Sequence, residues 1–309
     1  MSTLRNRDFT PCMYRRLLEA LQGNGYSFQT FGEFCANPGA KVAILRHDVD
    51  RKPENALLLA EIETEMGIRG SYHFRSVRAS NDPVIVSKIA DMSHEIAYHY
   101  EDLTLAMKES GKSGSDLSEK IAARAFDAFR SNLEYFRQYY PVRVISMHGS
   151  PAEKIDNRLL WKHFDYHEYD ILCEPYFDLD YSDMLYLTDT GRRWDGSKYN
   201  IRDKAITGSI GSKAPDFTAW RTKPVRGSLL NMTGDGLELN TRYKIHSTKE
   251  IFSLLPLETF PDKLVINTHP QRWDESIMPW TAELYTQKFK NCIKRLFIFL
   301  KANKQLAGF

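Results

Sequence analysis

Two carboxylates follow a short apolar run near the start of the chain. Residues 42–45 (Val-Ala-Ile-Leu) read as a buried strand, and ionisable residues follow it directly, among them Asp48 and Asp50. In extended backbone these two side chains point the same way, and converging carboxylates repel each other unless one is protonated or a cation lies between them. The pair is therefore a candidate for one metal-bound and one proton-transferring carboxylate. The alternative is a plain strand end, with Asp50 capping a helix that begins at Pro53.

Histidines follow three further predicted strands. They are His99, with His94 and Glu101 nearby, then His148 and His269. In parallel α/β folds, ligands and catalytic groups gather at the carboxyl ends of the strands. Neutral imidazoles and carboxylates suit zinc or a similar divalent ion, and three protein ligands leave one position for water. Each histidine also has a structural alternative: a core residue at 94, a turn residue at 148 and a loop anchor at 269.

The elements that would position these groups alternate along the chain. Strands are predicted at 41–46, 71–75, 142–147 and 264–267, with one more leading into His99, and helices at 10–21, 53–66, 82–92, 115–139 and 279–302. Such alternation predicts right-handed crossovers and a parallel sheet or barrel. Residues 165–243 are less regular, and we interpret them as an insertion of long loops and short strands lying over one face. The whole chain, 1–309, is predicted to be one domain.

Composition and charge narrow the function classes. The 309 residues are 42% hydrophobic and 27% charged, which is ordinary for a globular enzyme. A net charge of +2 gives no reason to expect nucleic acid as a partner. No apolar run reaches the roughly 20 residues of a membrane span, and the first residues lack the apolar core of a secretory signal. Four scattered cysteines suit a reducing compartment, so a cytoplasmic location is predicted.

Four motifs resemble the polysaccharide deacetylase superfamily, the NodB-type enzymes of carbohydrate esterase family four. They are Arg-His-Asp-Val-Asp at 46–50, Ser-His-Glu-Ile-Ala-Tyr-His at 93–99, Ser-Met-His-Gly-Ser-Pro at 146–151 and Asn-Thr-His at 267–269. Within that superfamily the chain looks most like a divergent branch linked to bacterial surface-polysaccharide biosynthesis. The resemblance covers roughly residues 40–275. It implies a distorted (β/α) barrel, commonly of seven strands, that hydrolyses an N-acyl sugar with a divalent metal.

The resemblance also implies roles for individual residues. Asp48 matches the catalytic base, Asp50 the metal-binding aspartate, His99 the first metal-binding histidine and His269 the general acid. The chain departs from the pattern where the second histidine would fall, because Leu103 stands there. It departs again in the third motif, where an arginine is usual near the base. We expect His148 to supply the missing imidazole on zinc, with Glu101 and then His94 as alternatives.

Further residues are candidates for substrate binding. Trp194 offers a flat apolar face for a pyranose ring, with Arg193 and Asp195 beside it as hydrogen-bonding groups. Trp273 would form the opposite wall. Arg75, after the second strand, would keep Asp48 ionised or bind an anionic part of the substrate. A core position for each tryptophan and an ordinary ion pair for Arg75 are the alternatives.

Three functions are consistent with this sequence. The first is an N-deacetylase acting on a sugar nucleotide or a lipid-linked glycan in surface-polysaccharide or O-antigen synthesis. The second keeps the metal but changes the bond, as in a deformylase or another linear-amide hydrolase. The third is a glycan-binding protein that has lost catalysis together with the second histidine. The basic and apolar C-terminal helix suits a membrane surface, but a helix docked on the barrel explains the same pattern.

Overall fold

A parallel sheet, with seven strands in the part of the chain that the structure describes, forms the centre of the protein. The computed structural model describes residues 7–111, 117–149, 155–194, 243–289 and 292. Its strands are β1 (Ser27–Gln29), β2 (Val42–Val49), β3 (Ser71–Phe74), β4 (Glu95–Tyr100), β5 (Ile145–Met147), β6 (Met184–Thr188) and β7 (Lys263–Thr268). The strand order is β5-β4-β3-β2-β7-β6, and β1 pairs with the first half of β2. The sheet is curled like half of a barrel, which confirms the α/β class and is compatible with a (β/α) barrel-like fold.

Helices connect these strands and flank the sheet. They are α1 (Pro11–Gly23), α2 (Phe31–Ala36), α3 (Pro53–Glu65), α4 (Pro83–Asp91), α5 (Asp102–Glu109), α6 (Glu119–Arg137), α7 (Pro175–Asp178), α8 (Thr248–Leu254) and α9 (277–289). Short 3-10 turns lie at Asn157–Lys162, Tyr166–Tyr169 and Pro270–Arg272. The starts of α1 and α4 follow from local chemistry. Thr10 and Asp82 each stand directly before a proline, and their side chains accept hydrogen bonds from backbone N–H groups in the first turn of the helix.

Alternation along β2 divides the sheet into two chemically different faces. Ala43 and Leu45 pack on the helices, whereas Ile44 lies on the opposite, concave face with Val265 and Ala97 of neighbouring strands. We call these the outer and inner faces. Because successive side chains of a strand point to opposite sides, the next inward residues of β2 are Arg46 and Asp48. The inner face is thus apolar at one end and ionisable at the other.

Several predicted boundaries change. The first predicted strand, 41–46, continues to Val49, so Asp48 lies within β2 and not after it. The segment between the predicted helix 10–21 and this strand contains β1 and α2, which are too short to give a periodic pattern. Part of the predicted insertion 165–243 is a regular strand, β6, paired with β7 along its length. Residues 195–242 of that segment lie outside the described residues.

Within the described ranges, no helix combines the length and the apolarity needed to cross a bilayer.

Candidate metal and catalytic site

Asp48 is held in place at the ionisable end of the inner face. Arg46, two residues before it on the same strand, donates from Nε to Oδ1 at 2.8 Å and from a terminal nitrogen to Oδ2 at 3.0 Å. Asn267 of β7 donates to Oδ2 at 2.9 Å. Burial opposes ionisation of this carboxyl, but the Arg46 guanidinium lowers its pKa well below the usual value. Asp48 is therefore a buried, ionised carboxylate with three hydrogen bonds.

Asp50 lies between two imidazoles just beyond the end of β2. Its Oδ1 is 3.8 Å from Nε2 of His99 and 3.5 Å from Nε2 of His148. This oxygen is buried, and no hydrogen bond reaches it from the described residues. Gln271 holds the other oxygen, Oδ2, at 3.2 Å. Asp50, His99 and His148, which the sequence analysis assigned to the metal, are thus brought together in space.

Both imidazoles are oriented from behind. His99 donates from Nδ1 to the carbonyl of Ser146 at 3.0 Å, and His148 donates from Nδ1 to Oε2 of Glu101 at 3.0 Å. With Nδ1 as the donor, Nε2 is the lone-pair atom of the neutral form of each ring, and in both rings it is the atom that lies near Asp50 Oδ1. Burial lowers the pKa of His99 to about 4, so the ring is neutral at physiological pH. Neutral Nε2 atoms are what a divalent metal requires of histidine.

Glu101 lies behind His148 and not in the ligand position considered for it. Arg75 donates to Oε1 of Glu101 from Nε at 2.8 Å and from a terminal nitrogen at 2.5 Å. Although burial opposes ionisation, the hydrogen bond from His148 and the Arg75 charge lower the pKa of Glu101 to about 2. Arg75 therefore pairs with Glu101, and the guanidinium that keeps Asp48 ionised belongs to Arg46. Sequence reasoning missed this because Arg46 reads as the end of a buried strand.

His269 forms a second acid–histidine pair on the neighbouring strand. Its Nδ1 lies 2.7 Å from Oδ1 of Asp189, and its backbone N–H donates to Oδ2 at 2.8 Å. Arg272 and Trp273 also donate to this fully buried carboxylate. Burial and Arg272 oppose protonation of His269, but Asp189 outweighs them and raises its pKa. The charge of His269 also contributes to lowering the pKa of both Asp48 and Asp50.

His94, the last alternative for the missing ligand, lies on the outer face. There Glu63 of α3 accepts hydrogen bonds from Tyr14 and Tyr72 and lies 2.8 Å from Nε2 of His47. His94 accepts from the Gly70 backbone at Nδ1 and contacts the Ala60 carbonyl through Nε2. This buried polar cluster ties helices to strands on the side away from Asp50. His94 is accordingly a core histidine with its hydrogen bonds satisfied.

The two tryptophans predicted to bind sugar are core residues. Trp194 and Trp273 are 0% and 1% exposed, with ring centroids 5.8 Å apart, and Phe9 packs on both. Their indole nitrogens donate to Thr248 and Asp189. Neither ring has an exposed face for a pyranose, so the predicted sugar platform is not found at these positions. Arg193 is half-buried, and Asp195 lies outside the described residues.

His73 of β3 is a site residue that the sequence analysis did not identify. It lies beside Asp48 in the sheet register and is fully buried. One ligand atom each from Asp48, His73 and His99 lies within 4.8 Å of the others. In sequence His73 is hidden between Tyr72 and Phe74 in an apolar strand. Only the pairing of β2 with β3 shows that it points inward.

Two interatomic distances at Asp50, those to His99 and His148, suit a shared divalent ion. Among the described residues, the set whose ligand atoms all lie within 4.8 Å of one another is Asp48, His73 and His99. Ligand atoms about 2.0–2.1 Å from a shared tetrahedral zinc lie about 3.4 Å apart, and the Asp50–histidine distances are 3.5 and 3.8 Å. One carboxylate and two imidazoles form a three-ligand set of the kind that leaves a position open for water. The orphaned Oδ1 of Asp50 is the second indication, because a buried carboxylate oxygen needs a partner.

Comparisons with protein-family models, with curated proteins and with solved structures gave no match for this chain. The resemblance to polysaccharide deacetylases therefore stays a prediction, and the function is inferred from the site.

Proposed function

We propose that this protein is a metal-dependent hydrolase that removes an N-acyl group, most simply N-acetyl, from a sugar. The observation that carries the proposal is the position of Asp50 Oδ1, buried without a hydrogen bond among the described residues and close to two Nε2 atoms. Beside it, Asp48 is kept ionised by Arg46, and His269 is kept protonatable by Asp189. Metal ligands, a base and an acid around one space are the parts that amide hydrolysis needs.

Each protein group has a distinct task in this reaction. A divalent ion at Asp50, His99 and His148, most suitably zinc, would polarise the amide carbonyl and lower the pKa of a water molecule. Asp48 accepts the proton of that water as it attacks the carbonyl carbon. His269 donates a proton to the sugar nitrogen, which is too basic to leave as an anion. Asp189 keeps His269 in the tautomer that titrates at Nε2.

The substrate class comes from the sequence resemblance. We propose a sugar nucleotide or a lipid-linked glycan that serves as a precursor of a surface polysaccharide, deacylated in the cytoplasm. Arg193 remains the candidate for a substrate contact among the residues first considered, since it is half-buried. The Asp50 side chain is 23% exposed, and this partly exposed edge would give the substrate access to the site.

Hydrolysis by the zinc-loaded protein tests this proposal. Purified protein is incubated with a panel of N-acetyl and N-formyl sugar nucleotides, and the released amine and acid are measured. Asp48→Asn should lower kcat at least a thousandfold, since it removes the base and keeps the shape. Asp127→Asn, an exposed aspartate on α6, is the matched control and should keep full activity.

The released acid identifies the reaction. Acetate supports a deacetylase, and formate supports a deformylase. If the panel binds but no amine forms, or if Asp48→Asn turns over as fast as the wild type, the hydrolase assignment is refuted. Binding without turnover would leave the glycan-binding alternative.

A further inference from the structure

His73 is a fully buried imidazole on β3 that forms no hydrogen bond with the residues that the structure describes. Neither ring nitrogen has a partner among the described residues, although the side chain is fully buried. The ring meets Phe31 and His99 edge to face, at centroid distances of 5.7 and 6.2 Å. Buried polar groups are nearly always paired with protein, water or an ion, because leaving them unpaired costs free energy. We therefore expect the ring nitrogens of His73 to bind an ion or a water molecule.

The carboxylate of Asp48 has room for one more ligand. Its carboxylate offers about four lone-pair sites, and Arg46 and Asn267 fill three of them. The Nε2 atom of His99 lies 4.0 Å from Asp48 Oδ2, and the Nδ1 contact with Ser146 fixes that lone pair. A carboxylate and two imidazoles, all buried, thus converge within 4.8 Å below the first site.

We propose that Asp48, His73 and His99 form a second position for a divalent ion, alternative to the position at Asp50, His99 and His148. We call the position at Asp48, His73 and His99 the inner position and the one at Asp50, His99 and His148 the outer position; both lie on the inner face of the sheet. They share Nε2 of His99, and one nitrogen lone pair binds one ion, so a single chain holds one ion at a time in either place. The donor set of the inner position suits zinc or cobalt(II), as that of the outer one does.

The position of the ion decides what Asp48 can do. With the ion in the outer position, Asp48 is free to accept a proton. With the ion in the inner position, Asp48 is a ligand and is lost as a base. This consequence rests on the proposed function. The inner position itself does not, because it is tested by metal binding without any substrate.

In a variant that lacks the outer position, zinc binding at the inner position can be measured by itself. Zinc affinity is measured by competition with a chromophoric chelator in His148→Ala, and then in His148→Ala combined with His73→Phe. We expect His148→Ala to bind one equivalent more weakly than the wild type, and His73→Phe to weaken it at least a further tenfold. The control combines His148→Ala with His163→Ala, an exposed histidine outside the site, and should match His148→Ala alone.

X-ray absorption of zinc-loaded His148→Ala gives a second measurement that does not depend on the folding of a double variant. It should show two imidazole ligands, His73 and His99. The inner position is refuted if His148→Ala binds no zinc, if His73→Phe leaves its affinity unchanged, or if only one imidazole is seen. None of these results bears on whether the wild type hydrolyses an amide, so the two proposals fail separately.

Discussion

Glu101 offers the sharpest test of how the outer position is built. Its Oε2 accepts the Nδ1–H of His148, and its Oε1 is held by Arg75. This contact decides the tautomer, because His148 can bind a metal through Nε2 only while Nδ1 carries the proton. Glu101→Gln keeps the shape but replaces one acceptor oxygen with an NH₂ group. If Arg75 takes the remaining oxygen, the NH₂ faces Nδ1 and favours the tautomer that cannot bind.

The expected loss of zinc affinity is 10- to 100-fold. Carboxylates behind metal-binding histidines typically contribute this much, which corresponds to about 1.4 to 2.7 kcal/mol. The loss cannot exceed that of His148→Ala, because the inner position remains intact. Chelator competition measures the affinity at fixed pH and ionic strength. Glu134→Gln removes a surface glutamate that pairs with Arg137, and it should leave the affinity unchanged.

A Glu101→Gln variant that binds zinc within threefold of the wild type would contradict this account. It would mean that His148 reaches Asp50 without help from Glu101, or that His148 is not a ligand. His148→Ala separates these two explanations, because removing its side chain lowers the zinc affinity only if His148 is a ligand.

Three further predictions concern proton transfer and stability. Asp189→Asn should move the basic limb of the kcat/KM profile to lower pH, because Asp189 raises the pKa of His269; an unshifted limb would argue against His269 as the acid. Burial raises the pKa of the Asp102 carboxyl to about 6. Its protonated form therefore stabilises the folded state fully below about pH 4, and this contribution is lost as the pH rises through 6. In urea unfolding, the free energy of unfolding of Asp102→Asn minus that of the wild type should therefore rise by up to about 3 kcal/mol between pH 4 and 7.5. A difference that does not change with pH would contradict this. Glu63→Ala leaves the buried donors of Tyr14, Tyr72 and His47 unpaired and should cost about 3 to 5 kcal/mol, against almost nothing for exposed Glu61→Ala on the same helix.

The sequence predicts the neighbourhood of the site because strand ends are local features. An apolar run followed by Asp48 and Asp50, and histidines after further strands, are visible without a structure. The parallel sheet then places His99 and His148 within reach of Asp50, since all these strands end at the same edge. Alternating elements likewise predict the α/β fold, although not the three-residue β1.

What the sequence does not show depends on contacts between distant residues. Trp194 has polar neighbours in the chain, but Phe9 and Trp273 enclose it in space. The inward position of His73 depends on its register with Asp48, which no local pattern encodes. The sequence favours His148 over His94 as the missing ligand but does not show why His94 is excluded, because that depends on the outer face that His94 shares with Glu63.

The most direct test of the central claim is the zinc content of the wild type beside His99→Ala. His99 is common to the outer and inner positions, so removing it should abolish both. We predict about one zinc per chain in the wild type and in the surface control His163→Ala, and none in His99→Ala. A wild type that binds no zinc after reconstitution, or a His99→Ala variant that binds as much as the wild type, would contradict the account.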